Sequence, residues 1–372
     1  MEMEDAFTSP ARGERTTAVL GVAVGVLFAL CFVTGVTSHL IQHPPAWFHW
    51  PARPVWLYRW NQGIHVFAGI AAIPVLLAKL WSVYPNLYRW PPLSSVAHAI
   101  ERAAIVPLLG GALLLLVTGL MNIAYWYGWR FDFIKTHYWT AWVVAGALVV
   151  HVGAKLPIVR RALGRGSGND VDLERRRFLL TTAVAAGALL LVTAGEAVSP
   201  LRRLNVLAPR RQGVGPQGLP VNKDARSARV ATQLHDPGWR LVVRGRGAAL
   251  SLSLDELRAR MNGSMGHAAR LPIACVEGWS QEAHWRGVRL RDVLHDAGAP
   301  SSASVRVQSI QRGGFSTSVL DPAHARHPDT LLALELNGAT LDPDHGYPVR
   351  LIAPNLPGVL QTKWLQQLEV LP

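Results

Sequence analysis

Cysteine is nearly missing from this chain: there are two in 372 residues, Cys31 and Cys275. Two cysteines cannot build a disulfide framework, a four-cysteine zinc site or an ordinary cysteine-ligated iron–sulfur cluster. Charge is sparse as well, 16% of residues against 50% apolar, and acidic residues are the scarcer sign, 24 against 37 basic, for a net charge of +13. A basic balance alone raises nucleic acid as a partner. A half-apolar, weakly charged composition points to a membrane instead, and no nucleic-acid partner is expected. The length allows two or three domains with a sizeable core.

The apolar residues are concentrated in the first half. Residues 18–40, 64–83, 103–124 and 138–158 form four apolar runs, and residues 178–195 a fifth without a charge. Each is close to the roughly 20 residues that cross a bilayer as a helix. Ten of the fourteen tryptophans precede Asp170, and Trp47, Trp50, Trp56 and Trp60 cluster in one connection, as in the aromatic belt at a lipid–water boundary. Lys and Arg divide unequally between alternate connections. Arg12, Arg15, Lys79, Arg89, Arg102, Lys155, Arg160, Arg161, Arg165, Arg175, Arg176 and Arg177 lie on one side, and Arg53, Arg59, Arg130 and Lys135 on the other. The positive-inside rule then puts the N-terminus in the cytoplasm and everything after Gly195 outside.

The second half reads as a separate α+β domain of ordinary size. Residues 199–220 are rich in Arg, Gly and Pro without an apolar period, the composition of a linker. Beyond them, 240–243 and 305–310 alternate as strands, Ser253-Leu-Asp-Glu256 is a capping box that opens a helix, and Leu290, Val293 and Leu294 mark one helix face. Asn337-Gly338 predicts a tight turn, and 347–353 and 363–371 the closing strands. The expected fold class is multi-domain. An all-α transmembrane bundle of four helices occupies 1–165, a fifth anchor helix 166–198, a linker 199–220 and an α+β domain 221–372. In the bundle, Val33-Thr34-Gly35 and Val117-Thr118-Gly119 repeat one another, each ahead of a helix that ends in Ala-Lys-Leu.

Ionisable residues within a membrane are costly and are functional suspects. His137 and His151 lie fourteen residues apart, close to four turns, so both point one way about 21 Å apart. That spacing suits two stacked haems, and His65, near the outer end of the second run, is level with His137 and completes a bis-imidazole site. On these residues the first half resembles the four-helix, di-haem cytochrome b subunits that anchor formate dehydrogenases and nickel hydrogenases, over residues 15–161. The resemblance implies haem b held by His65 and His137. The family's remaining ligand, near the start of the first helix, falls at Thr16-Thr17, and His39 sits at the other end of that helix. The haem count is therefore one, or two if another group pairs with His151.

Cys275 lies in Leu271-Pro-Ile-Ala-Cys-Val-Glu-Gly-Trp-Ser280, and His345-Gly-Tyr-Pro-Val-Arg350 is followed by Lys363-Trp364. A soft thiolate suits a soft or high-valent metal. A guanidinium and an ammonium suit a phosphate, and backbone N–H groups near Gly358 and Thr362 suit the edges of an organic ring. Together these segments resemble the molybdopterin-binding domain of the sulfite oxidase superfamily, over residues 219–370, and most of all its short branch, the periplasmic sulfoxide-reductase type. The resemblance implies that Cys275 binds molybdenum. It also implies that Asn222, Ser309, His345, Arg350, Gln361, Thr362 and Lys363 hold the pterin and its phosphate. Ser309 stands where the short branch has threonine, and His345 is the sulfite oxidase form of a position that is asparagine there. Only nine residues follow Lys363, so the immunoglobulin-like extension of sulfite oxidases is expected to be absent.

Glu174-Arg-Arg-Arg-Phe-Leu-Leu180 leads straight into the fifth apolar run, with the spacing of a twin-arginine export signal. The expectation is a protein of the bacterial inner membrane whose molybdopterin domain is exported, folded, to the periplasm. Its partners are the bilayer, a quinone or another redox protein, and a small substrate. The expected activity is sulfoxide or N-oxide reduction, with sulfite-type oxidation and a non-catalytic haem-bearing sensor or assembly factor as alternatives. A transporter needs broken helices and midplane charges, for which Pro74 is the one mid-span candidate.

Overall fold

The computed structural model of the protein describes residues 9–85, 96–164, 173–245 and 249–371. Arg89 and Arg165 of the charge count, and the 165/166 boundary, lie outside them. The chain divides into two compact units. The first comprises Met1–Val36, Ile64–Ala194 and Arg203–Pro209, and the second Thr37–Gly63, Gly195–Arg202 and Arg210–Pro372.

The first unit is built from five helices: α1 (Glu14–Gln42), α2 (Leu57–Val83), α3 (Val96–Ala124), α4 (Phe133–Gly164) and α5 (Leu173–Thr193). All five are long and apolar enough to cross a membrane. Each runs past the apolar stretch visible in sequence, because a helix continues through polar ends as long as its carbonyls find N–H partners. α1 and α2 are antiparallel, with Thr17 meeting Ser82 at one end and the Cys31 thiol donating to the His65 carbonyl toward the other. α3 and α4 come together at Gly111, where a Cβ would stand 2.4 Å from the side chain of Val144. Small residues let helix backbones approach in this way. The outward faces are apolar, Val106 and Val149 each being 73% exposed.

The second unit contains two five-stranded sheets. In the first, β2 (Leu250–Ser253), β1 (Arg240–Arg244), β10 (Leu365–Val370), β5 (Val305–Ser309) and β6 (Thr317–Leu320) lie in that order, with only β1 and β10 parallel. In the second, β3 (Gly266–Ala274), β4 (Ser280–Arg289), β7 (Leu331–Leu336) and β8 (Ala339–Thr340) run in order, and β9 (Arg350–Ile352) also pairs with β7. β7 reads Leu-Leu-Ala-Leu-Glu-Leu and is buried almost throughout, as a strand covered on both faces must be. Three short helices, α6 (Leu254–Asn262), α7 (Leu290–Asp296) and α8 (Pro322–Arg326), complete the unit.

Local chemistry fixes these boundaries. Ser253 and Glu256 form both bonds of the capping box at the start of α6. Asn337 and Gly338 both have positive φ, 51° and 85°, the geometry a two-residue hairpin needs between β7 and β8. The closing strands are shorter than the sequence predicts. Pro348 has no N–H to give a ladder, so β9 starts only at Arg350. Trp364 takes a positive φ of 54°, which turns the chain just before β10. The stretch 210–220, linker-like in composition, packs into this unit and buries Leu219 completely. The connection from α1 to α2 and the start of α2 belong here too: the Trp50 indole donates to the Asn355 carbonyl at 2.8 Å, and the Gln62 amide to the Val276 carbonyl at 2.6 Å.

Candidate functional site

Cys275 follows directly on the last residue of β3 and opens the turn into β4. Its N–H donates to the Trp279 carbonyl at 2.9 Å, and the Gly278 N–H to the Cys275 carbonyl at 3.1 Å. The turn places Glu277 beside the sulfur, with the thiol donating to its carboxylate at 2.5 Å. Asn222 Nδ2 lies 3.0 Å from the same sulfur. Its amide orientation is set from the other side, where Oδ1 accepts from Trp279 Nε1 and Arg210 Nε, both at 3.0 Å. Burial pushes Cys275 well above the usual thiol range, the Glu277 carboxylate adding to it, and burial raises Glu277 as well. Without a metal, then, the proton stays on this pair. A cation at the sulfur displaces it, because a coordinating thiol is deprotonated outright.

Two cations, Arg350 buried and Lys363 half-buried, interact electrostatically with Cys275. Arg350, 4% exposed, donates from Nη1 to the His345 carbonyl at 3.0 Å and from Nη2 to the Gln361 carbonyl at 3.2 Å. Its Nε is buried without a hydrogen-bond partner among the described residues, as is Gln361 Oε1. Lys363 Nζ donates to the carbonyls of Lys223 and Asp344 at 2.6 and 2.7 Å. Among the described residues neither cation forms a salt bridge. Burial pulls Arg350 down to about 9, and burial followed by Arg350 pulls Lys363 down to about 7. Carbonyl dipoles, with the Asp344 and Asp224 carboxylates acting on Lys363 without a salt bridge, leave such charges poorly compensated, so the pair suits a bound anion. Gly346 makes the arrangement close. At its φ of 110°, a Cβ would stand 3.0 Å from the Arg350 Cβ and 3.1 Å from the Lys363 Cβ.

The remaining predicted residues gather around this pair. His345 donates from Nε2 to the Pro216 carbonyl at 2.8 Å, and burial, then Arg350, hold its pKa near 4, so it is neutral. The Ser309 hydroxyl donates to the Lys363 carbonyl at 2.7 Å and accepts from the Gln311 N–H. Thr362 meets Ser318 at 2.7 Å, and Gln361 Nε2 donates to the Leu356 carbonyl at 2.9 Å. A Cβ on Gly358 would lie 3.7 Å from the Cys275 sulfur, so that backbone borders the metal position. The donor set therefore fits a molybdenum–pterin group: one thiol, two cations without a salt bridge, and two buried polar atoms without a hydrogen-bond partner, all among the described residues. Glu277, Arg210 and Trp279 were given no role by sequence reasoning. Glu277 and Trp279 stand inside the cysteine motif, two and four residues on, and could have been flagged there. Arg210 lies in the linker-like stretch and gave no signal.

The family described as "Oxidoreductase molybdopterin binding domain" matches residues 228–372. That segment contains Cys275 and both cations. Residues 228–372 are a molybdopterin-binding oxidoreductase domain. The domain is that of molybdenum-dependent oxidoreductases, and the chain is similar to sulfite oxidase of Gallus gallus, 32% identical over 167 residues, 36% of this chain and 35% of that one. It is also similar to nitrate reductase [NADH] of Spinacia oleracea, 41% identical over 101 residues, 23% and 10% of the two chains. A third relative is the uncharacterized oxidoreductase YuiH of Bacillus subtilis, 35% identical over 98 residues, 26% and 48%. The chain thus spans between a tenth and a half of the length of these relatives.

In the first unit the structure brings His65 and His137 together, with ring centroids 6.2 Å apart and planes at 63°. Two imidazoles bound to one metal atom at about 2.0–2.1 Å, with about 1.1 Å from each nitrogen to its ring centre, would stand up to about 6.3 Å apart. The spacing of His65 and His137 would therefore suit a haem iron held by both. His151 stands four turns further along α4. No group of three or more His, Cys, Asp or Glu is placed to hold a bare metal ion among the described residues, and a haem asks for two ligands only.

Proposed function

We propose that the protein is a membrane-embedded, molybdenum-dependent oxidoreductase that reduces a small oxygen-bearing substrate, a sulfoxide or N-oxide, outside the cytoplasmic membrane. The reading is carried by one observation: a buried thiol shares its surroundings with the buried Arg350 and the half-buried Lys363, neither of which forms a salt bridge among the described residues. Cys275 holds the metal. Asn222 orients its sulfur, and Arg350 and Lys363 bind the phosphate-bearing pterin. Gln361 offers a buried acceptor, His345 holds the loop that carries Gly346, and Ser309 and Thr362 fix the backbone around Lys363. When bound, the molybdenum centre supplies two-electron oxygen-atom transfer. The protein supplies a site from which bulk water is excluded, with Cys275 8% and Trp279 4% exposed.

The five apolar helices are the membrane part, placed with the N-terminus inside by the arginine-rich side and led out by the Arg175-Arg176-Arg177 signal. His65 and His137 would hold a b-type haem, which would supply one-electron transfer from the reduced quinone toward the molybdenum centre. Purified protein is expected to contain about one molybdenum per chain and a bis-histidine haem spectrum, with the metal lost in Cys275→Ser. Metal-free protein from cells competent to make the cofactor would overturn the reading. Sulfite-type oxidation is the second reading, favoured by His345 and by the relatives named sulfite oxidase. Turnover of sulfite with an artificial acceptor, but none of sulfoxides with a reduced dye, would select it.

A further inference from the structure

The two histidines that face each other are set by a repeated step in the helices before them. Thr118 Oγ1 lies 2.8 Å from His137 Nδ1, and Thr34 Oγ1 lies 3.2 Å from His65 Nδ1. The protons in both contacts can be assigned. A threonine hydroxyl has a single proton. Thr118 donates it one turn back to the Leu114 carbonyl at 2.7 Å, and Thr34 to the Leu30 carbonyl at 2.6 Å. Only lone pairs remain for the histidines, so each bond runs from Nδ1–H to Oγ1. For His65 the assignment is made twice, because the same Nδ1 is 2.9 Å from the Cys31 carbonyl oxygen, which can only accept. A neutral imidazole protonated at Nδ1 keeps its lone pair on Nε2. Both rings are therefore fixed in the tautomer that ligates through Nε2.

Gly35 makes room for its ring, since a Cβ there would stand 3.1 Å from His65 Cε1, whereas one at Gly119 would make ordinary contact, 3.7 Å from His137 Cε1. The Val-Thr-Gly repeat thus offers a hydroxyl to Nδ1 twice, and at Gly35 also the absence of a side chain against Cε1. Its two copies are not equivalent. His65 Nδ1 has two acceptors, the Cys31 carbonyl and Thr34, whereas the hydrogen bond of His137 Nδ1 is to Thr118.

We infer that Thr34 and Thr118 are positioning residues that tune the reduction potential of the haem, and that Thr118 does most of the tuning. The inference rests on the haem assignment proposed above. Giving the Nδ1 proton to an acceptor makes the imidazole a more basic ligand, which favours ferric over ferrous iron and lowers the potential. Thr118→Val removes the acceptor at His137. Thr34→Val leaves the Cys31 carbonyl in place and changes little.

The test is a redox titration of the full-length protein in detergent, followed at the haem absorption bands, with haem counted per chain beforehand. Thr118→Val is expected to keep its haem and shift the ferric–ferrous equilibrium about tenfold toward ferrous, 59 mV upward for a one-electron couple. Thr34→Val should shift it much less, and Thr118→Ser, which restores the hydroxyl, should titrate as wild type. Should Thr118→Val lose haem, Thr118→Ala removes the same acceptor with less bulk and takes its place. An unmoved potential in the haem-bearing variant overturns the inference, as does an equal shift in Thr34→Val or a raised potential in Thr118→Ser. Wild-type protein without haem overturns the haem assignment itself and the inference with it.

Discussion

The side-chain oxygen of Asn355 accepts the backbone N–H of Tyr58 at 2.7 Å. Asn355 is 3% exposed and holds a positive φ of 57°. Its Nδ2 donates to the Pro51 carbonyl at 2.6 Å, and its own carbonyl accepts the Trp50 indole. One residue thus fastens the connection between α1 and α2 to the molybdopterin-binding unit. Asn355→Ala leaves the Pro51 carbonyl and the Tyr58 N–H without their partners, a cost of about 2–4 kcal/mol. Thermal melting of the unit should fall by roughly 5–10 °C, and protease should cut within 43–56 sooner. A variant that melts with wild type and resists protease equally would show that the contact contributes nothing.

Arg350 grips two carbonyls and keeps Nε in reserve, which makes its shape as important as its charge. Arg350→Met should lose at least tenfold in cofactor retained per chain. Arg350→Lys keeps the charge without the planar fork and should fall between. Molybdenum and pterin content, measured on folded full-length protein, decides it. Full retention in Arg350→Met would remove this residue from the cofactor site.

Lys363 gives the site a pH dependence. Burial holds its folded value near 7, whereas the unfolded chain keeps the proton to about 10.4. Between those values the unfolded state binds more protons, so the stability of cofactor-free protein rises with pH across that window. A bound anion raises the folded value and flattens the rise. Cofactor-free wild type should therefore melt higher at pH 9 than at pH 7. Lys363→Met should lack the rise, and cofactor-loaded protein should show less of it. Equal slopes in wild type and Lys363→Met would refute the assignment.

Much of this was legible in the sequence wherever the information is contiguous. Ser253 to Glu256 encode both halves of a helix cap, Asn337-Gly338 a hairpin turn, and Val-Thr-Gly its own repetition. The cysteine motif was legible for the same reason, since one turn carries Cys275, Glu277 and Trp279 together. Contacts made only after the sheets assemble left no periodic trace. Arg210 reaches Asn222 from a stretch whose Arg, Gly and Pro content says nothing of where it packs. The Trp50 segment reads as an interfacial loop by its tryptophans, yet it is tied down by hydrogen bonds of Trp50, Pro51 and Tyr58 with the one residue Asn355. Strand ends were misjudged where one residue overrides the apolar pattern, Pro348 by its missing N–H and Trp364 by its backbone turn.

Gly346 separates strain from crowding. Its φ of 110° is strained for any residue with a Cβ, and that Cβ would press on both Arg350 and Lys363. Gly338 in the β7–β8 turn has a φ of 85° with open space around it. Alanine at Gly338 meets conformational strain alone, about 1–2 kcal/mol, and should leave cofactor content unchanged. Alanine at Gly346 meets the same strain and also pushes the two cations apart. It should cost more stability, about 2–4 kcal/mol, and deplete the cofactor in protein that remains folded. Melting curves and molybdenum content of the two variants, prepared side by side, give the comparison. If Gly346→Ala retains the cofactor as fully as Gly338→Ala does, the close approach of Arg350 and Lys363 is not what binds the anion.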